Sequence, residues 1–159
     1  MINHAETRRR GENGLRDIDA ITGDVIELCL RIHRELGPGL LESVYETVLA
    51  GGLADMGYNV DRQKPIDIEF NGKRFEAAFR IDVLVDDRLL IEFKSVETIN
   101  KAHMKQLQTY LRLTKQPVGL LINFAGATLK EGLKRVVNDH VPSASPRLRV
   151  NQIEGRQNV

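Results

Sequence analysis

Cysteine is nearly absent from this chain: Cys29 is the only one in 159 residues. An intramolecular disulfide and a zinc cluster built from thiolates are therefore both excluded. Cys29 falls on the apolar stripe of a helix the spacing predicts, a place for a small buried hydrophobe rather than a nucleophile. Tryptophan is missing and aromatics make up only 5% of the residues, so a stacking platform for single-stranded bases has little to be built from. No apolar run approaches the roughly 20 residues needed to cross a bilayer, and the first residues carry no apolar signal-peptide core. The expectation is a soluble cytoplasmic protein with no membrane partner. An excess of one charge is lacking too. The formal net charge is +1, so any attraction for a polyanion has to be local. There is no internal repeat, no low-complexity segment, and nothing resembling a base-reading helix or a zinc finger.

What is present fits one domain with a sizeable core. Residues 1–16 are polar, with two glycines and an Arg triplet, and are expected to form a flexible N-terminal arm. The domain is expected over 17–139, and a C-terminal tail from His140 to the end. From Asp17 onward Ile18, Ile21, Val25, Leu28, Ile32 and Leu36 recur at helical steps until Gly37-Pro38-Gly39 stops them. A second helix is expected from Leu40 to Met56, with Leu41, Val44, Val48 and Leu53 inward and Gly57 as its C-cap. Strands are expected at Tyr58–Asp61, Ile66–Phe70, Arg74–Val85 and Arg88–Lys94, with Asn71-Gly72 as a hairpin turn. A helix over 101–114 has Ala102, Leu107 and Leu111 on its core side. The nearly all-apolar 117–124 suits a strand covered on both faces. A short helix over 129–137 would close the domain. The order α-α-β-β-β-β-α-β-α predicts an α/β (mixed) fold, a mixed β-sheet flanked by helices, with a crossover through 101–114.

The stretch FRIDVLVDDRLLIEFK, residues 79–94, carries Asp82, Glu92 and Lys94 inside an otherwise apolar hairpin. Side chains alternate across a strand, so parity decides which of them meet. Phe79, Ile81, Val83 and Val85 share one face of the first strand, as Leu89, Ile91 and Phe93 do on the second. Arg80, Asp82 and Leu84 share the other face, as Leu90, Glu92 and Lys94 do. A two-residue turn at Asp86-Asp87 would pair Asp82 with Ile91 and set the charged faces on opposite sides. A three-residue loop, Asp86-Asp87-Arg88, sets Asp82 across from Glu92. Because a one-residue slip would bury charge among aliphatics, the pattern predicts an odd-length loop or a bulge.

Facing carboxylates repel unless something cationic lies between them. Lys94 supplies part of that charge, and a divalent cation supplies more. Carboxylate oxygens suit Mg²⁺ or Mn²⁺, and a lysine beside the ion can orient water or steady developing charge. Asp…Glu-x-Lys thus suits metal-assisted attack of water on a phosphodiester. On the hairpin alone a simple cross-strand ion pair explains the same charges, and both readings stay open.

Two further patterns stand beside it. GLLESVY, at 39–45, spells Gly-x-x-Glu-x-x-Tyr, and QLQTY, at 106–110, spells Gln-x-x-x-Tyr. With FRIDVLV and IEFK, the chain resembles the GxxExxY family of the PD-(D/E)XK nuclease superfamily, from about Ile21 to Asn138. The resemblance implies a restriction-endonuclease-like core. It implies Asp82 and Glu92 as metal ligands, Glu42 as a further ligand directly or through water, and Lys94 as the catalytic lysine. Gln106 and Tyr110 resemble the pair that lines the site near substrate in RecB-type nucleases. The family's Tyr-x-Ala-Asp stands here as Phe79-Arg80-Ile81-Asp82, with a bulkier residue before the ligand.

Glu42, Tyr45 and Glu46 share one helix face, and Glu42 also suits the first turn for its dipole alone. Tyr45 reads as a packing residue with a hydrogen-bonded hydroxyl, and His103 as a surface or packing residue. Residues 98–130 hold Lys101, Lys105, Arg112, Lys115 and Lys130 and no Asp or Glu. Such a segment would attract a phosphate backbone, with Lys101 and Lys105 as candidate substrate-binding residues, though a solvated helix face gives the same composition. The expected function is a Mg²⁺- or Mn²⁺-dependent nuclease acting on nucleic acid, with DNA preferred. The alternative is a catalytically inactive nucleic-acid-binding or assembly module on a nuclease scaffold. A homodimer that cuts both strands is left open.

Overall fold

A computed structural model describes residues 16–138. The tail from His140 and all of the N-terminal arm but Arg16 lie outside the described residues. Arg16 is docked: its guanidinium donates to the Gly57 carbonyl at 2.7 Å and lies 4.0 Å over the Tyr58 ring.

Helix α1, Ile18–Leu36, begins where the Asp17 carboxylate accepts the Asp19 N–H. It ends at Gly37, whose φ of 73° lies in the left-handed region that favours glycine. Of the expected stripe Ile18, Ile21, Val25, Leu28 and Ile32 are buried, as is Cys29, while Leu36 in the last turn is exposed. Helix α2, Glu42–Asp55, closes in a Schellman motif. Gly57 N–H donates to Ala54 O and Tyr58 N–H to Leu53 O, as the C-cap glycine predicts. Its inward face differs from the expected one. Tyr45, Glu46, Leu49, Ala50 and Leu53 point inward, while Leu41 is 74% exposed and Val44 and Val48 are also exposed. This helix is apolar nearly all round, so its sequence offers no contrast from which to choose a face.

Five strands follow in the order β1 (Val60–Phe70), β2 (Lys73–Val85), β3 (Leu89–Lys94), β4 (Val118–Asn123) and β5 (Leu133–Val137) across one sheet. Neighbours are antiparallel except β3 and β4, which are parallel and joined by α3, Lys101–Thr114. The fold is the expected mixed sheet flanked by helices. Helices α1 and α2 cover one face over a core that includes Val83, Ile91, Phe93 and Leu120. Helix α3 covers the other over Leu84, Leu90, Leu107, Leu111 and Leu121. All six residues of β4 are buried, as a strand covered on both sides should be.

Two expected elements come out otherwise. The separate strands at 58–61 and 66–70 are one continuous strand, with a left-handed residue at Gln63, where φ is 48°, and a register shift between Ile66 and Ile68. The expected helix over 129–137 is a short 3-10 turn, Lys130–Gly132, followed by edge strand β5. Leu133 packs on one core cluster and Val136 on the other, so both faces carry apolar groups and the period is ambiguous. On α3, Ala102 is exposed rather than inward, and Met104 takes the packing role.

Both hairpin expectations hold. Phe70 pairs with Lys73 around a two-residue turn whose Asn71 and Gly72 both have positive φ. Val85 pairs with Leu89 around the three-residue loop Asp86-Asp87-Arg88. Beyond that register β2 pairs with β3 only at Val83–Val85, so the rest of the β1–β2 hairpin leaves the sheet as a two-stranded ribbon. At the point of departure the expected parity breaks: Ile81 and Phe79 pack on the α3 side, while Val83 and Val85 pack on the other. Two-stranded ribbons twist strongly, and Asp82 stands where this one begins to do so. Among the described residues, no helix is long and apolar enough to cross a membrane.

Candidate active site at the β2–β3 junction

Where β3 stops pairing with β2, side chains take over from the ladder. Continuing the Val83↔Ile91 register by one step sets Asp82 opposite Glu92. There the Asp82 N–H donates to Glu92 Oε1 at 3.3 Å, and the Phe93 N–H donates to Asp82 Oδ2 at 2.9 Å. On its other side Asp82 faces Gln63 of β1, which falls between the pairs Arg62↔Val83 and Lys64↔Ile81. Gln63 Nε2 donates to Asp82 Oδ1 at 3.2 Å and to Glu46 Oε2 at 2.9 Å. Three neighbouring strands thus set Gln63, Asp82 and Glu92 in one row across the sheet.

Glu92 is only 6% exposed. Its carboxyl is pushed up to about 8, first by burial and then by the negative charge of Asp82, with Lys94 opposing more weakly. Helix α3 closes the same side. Gln106 Oε1 accepts a hydrogen bond from Lys94 Nζ at 3.1 Å. Tyr110 stacks on Phe79 with ring centroids 4.1 Å apart. Burial and the charges of Glu92 and Asp82 raise the Tyr110 hydroxyl above its usual range. The structure therefore brings Asp82, Glu92, Lys94, Gln106 and Tyr110 to one place.

Glu42 stands apart from them. It is the first residue of α2 and exposed, lining an open cleft with Gly39, Leu41, Ser43, Ser95 and Ala125. Among the described residues, no three His, Cys, Asp or Glu side chains cluster closely enough to hold a metal ion. Asp82 and Glu92 are thus a pair without a third acid. Their chemistry nonetheless fits a divalent cation: two hard oxygen donors, one deeply buried, stand together, and the charge of Lys94 offsets their repulsion only in part. Lys101 and Lys105 are exposed on α3.

Two residues of this arrangement escape sequence reasoning. Glu46 is 5% exposed and lies one helical turn beyond Glu42, with Arg62 Nε 3.1 Å from its Oε1. Its place on the helix face it shares with Glu42 and Tyr45 is the signal that could have found it. Nothing in the sequence marks the left-handed backbone of Gln63. Tyr45 has the packing role expected of it, its ring on Phe124 and its hydroxyl donating to Gly37 O and accepting from Leu40 N. His103 completes a capping box with Asn100 at the start of α3, and His33 bonds to the Gly126 carbonyl.

No curated protein matches the chain. A solved structure described as "Crystal structure of SSO0001" is similar at 17% identity, with a TM-score of 0.40, over 84% of this chain and 74% of that one. The family model that matches residues 19–136 is that of the PD-(D/E)XK nuclease superfamily, whose members are typically nucleases. That span takes in both helices, the whole Asp82–Glu92–Lys94 hairpin and the crossover, and the chain belongs to the PD-(D/E)XK nuclease superfamily.

Proposed function

We propose that the chain is a Mg²⁺- or Mn²⁺-dependent nuclease of the GxxExxY type that hydrolyses phosphodiester bonds, with DNA as its substrate. The observation that carries this reading is the Asp82–Glu92 pair, with Glu92 buried and Lys94 two residues along the same strand. Asp82 and Glu92 would hold the ion through their carboxylate oxygens. When bound, the ion neutralises charge on the scissile phosphate and acidifies water.

The remaining work falls to this chain's own side chains. Glu92 must lose its proton before it can act as a donor, and the neighbouring Lys94 ammonium favours that loss. Lys94 is steadied by Gln106, so its ammonium is fixed where it can meet charge that builds on a phosphate oxygen. Tyr110, braced by Phe79, walls the same side. Lys101, Lys105 and Arg112, exposed along α3 in a segment that holds no Asp or Glu from 98 to 130, would attract a phosphate backbone. Glu42 of the Gly-x-x-Glu-x-x-Tyr pattern lines a cleft with Ser95, the residue after Lys94, and would meet the ion through water rather than directly.

The test is incubation of the protein with linear duplex, single-stranded and RNA substrates in Mg²⁺, Mn²⁺ or EDTA. Cleavage of DNA in either metal and none in EDTA is the expected result. Binding of DNA without cleavage in any metal would favour the inactive nucleic-acid-binding module instead.

A further inference from the structure

We infer that Gln63 is a positioning residue for the Asp82 carboxylate, anchored by the buried Glu46, and that it sets how tightly the site takes a divalent cation. This rests on the reading of Asp82 and Glu92 as the ion's ligands. Gln63 holds a φ of 48°, a conformation that residues with side chains rarely adopt and that persists only where the surroundings fix it. The surroundings do so from several directions. Arg80 donates to the Gln63 carbonyl at 3.3 Å, and Glu46 accepts from the Gln63 amide at 2.9 Å. Glu46 is itself held at its other oxygen by Arg62, which also donates to Thr47 Oγ1 at 2.8 Å.

The orientation of the amide follows from its neighbours. Both are carboxylates, which accept and cannot donate, so the NH₂ end faces them and each carboxylate takes one N–H. Asp82 is thereby fixed at both oxygens, Oδ1 by Gln63 and Oδ2 by the Phe93 N–H. Each oxygen keeps a lone pair in reserve for an ion. Glu46 does not join the pair directly, because no third acid stands within metal-holding distance among the described residues. Its influence passes through Gln63. Partners of this kind orient ligating carboxylates, and their loss typically costs about 10- to 100-fold in metal affinity.

The experiment is calorimetric titration of the full chain with MnCl₂ at pH 8, without nucleic acid, for wild type, Gln63→Ala and Gln63→Met. Met restores the bulk of the side chain but has no N–H to give. We expect both variants to weaken Mn²⁺ binding by about 10- to 100-fold with unchanged circular dichroism. Should the alanine variant unfold, the methionine variant decides alone. Wild-type affinity in Gln63→Met would show that only packing matters and would overturn the inference while leaving the metal ligands standing. A wild-type chain that takes no Mn²⁺ would overturn both.

Discussion

The main-chain N–H of Phe93 donates to Oδ2 of Asp82, so a side chain occupies the place that a backbone carbonyl takes in an unbroken ladder. One strand's candidate ligand is thereby tied to the backbone of the strand that carries Glu92 and Lys94. The ladder ends there because β2 turns away into the ribbon, and the site sits in the fork. Rigid strands, rather than loops, hold both carboxylates and the lysine.

Lys94→Met keeps the aliphatic stem and removes the ammonium together with its bond to Gln106. Cleavage should fall by at least about 100-fold, while Mn²⁺ affinity and circular dichroism stay near wild type. Initial rates on a labelled duplex measure this. Cleavage at the wild-type rate would remove Lys94 from the chemistry.

The Glu92 carboxyl, raised to about 8 from an ordinary 4.5, makes stability depend on pH. Between those values the metal-free folded chain keeps a proton that the unfolded chain has released. The contribution is fully present below about 4.5 and is lost as pH rises through about 8. In EDTA, urea denaturation should therefore show wild type weakening from pH 6 to pH 9 more steeply than Glu92→Gln. Mn²⁺ affinity should rise over the same interval, because the ion takes the proton's place. Parallel stability curves for the two proteins would contradict the assignment.

Tyr45→Phe removes a hydroxyl that donates to Gly37 O at 2.6 Å and accepts from Leu40 N at 3.2 Å. The ring would stay on Phe124, so only the link between the α1–α2 turn and α2 is lost. A destabilisation of about 1–2 kcal/mol is expected from urea denaturation. No change would mean that the turn is held by other contacts.

Gly132→Ala tests β5. A Cβ there would clash with the Asn123 carbonyl oxygen, backbone that cannot swing aside. Asn123 also holds Val96 through its side-chain amide, so the segment after Lys94 should loosen as well. The expected cost is about 1–3 kcal/mol or more, by analogy with overpacked cores. Faster amide exchange at Val96 and Glu97 would accompany it, and an unperturbed variant would argue against this packing.

Much of this arrangement is legible in the sequence because it follows from alternation. Burying Val83, Val85, Leu89 and Ile91 on one side forces the odd loop, and the odd loop forces Asp82 towards Glu92. The crossover helix is equally legible from its period, for Leu107 and Leu111 face the sheet, whereas the capping box of Asn100 and His103 emerges only in the structure. The inner face of α2 is not legible, for an apolar helix hides its orientation until Tyr45 meets Phe124. Nor is β5, whose two faces are both apolar and which pairs only through the tertiary fold. The link from Glu46 through Gln63 to Asp82 depends on one left-handed residue and a register 19 positions apart in the chain, which no local pattern announces.

The central claim is that Asp82 and Glu92 together bind a divalent ion. Titrating Mn²⁺ into wild type, Asp82→Ala and Glu92→Gln at pH 8, with free ion followed by its paramagnetic resonance signal, tests it directly. Saturable uptake by wild type that disappears in both variants is the predicted result. Uptake that survives unchanged in either variant, or is absent from wild type, contradicts it.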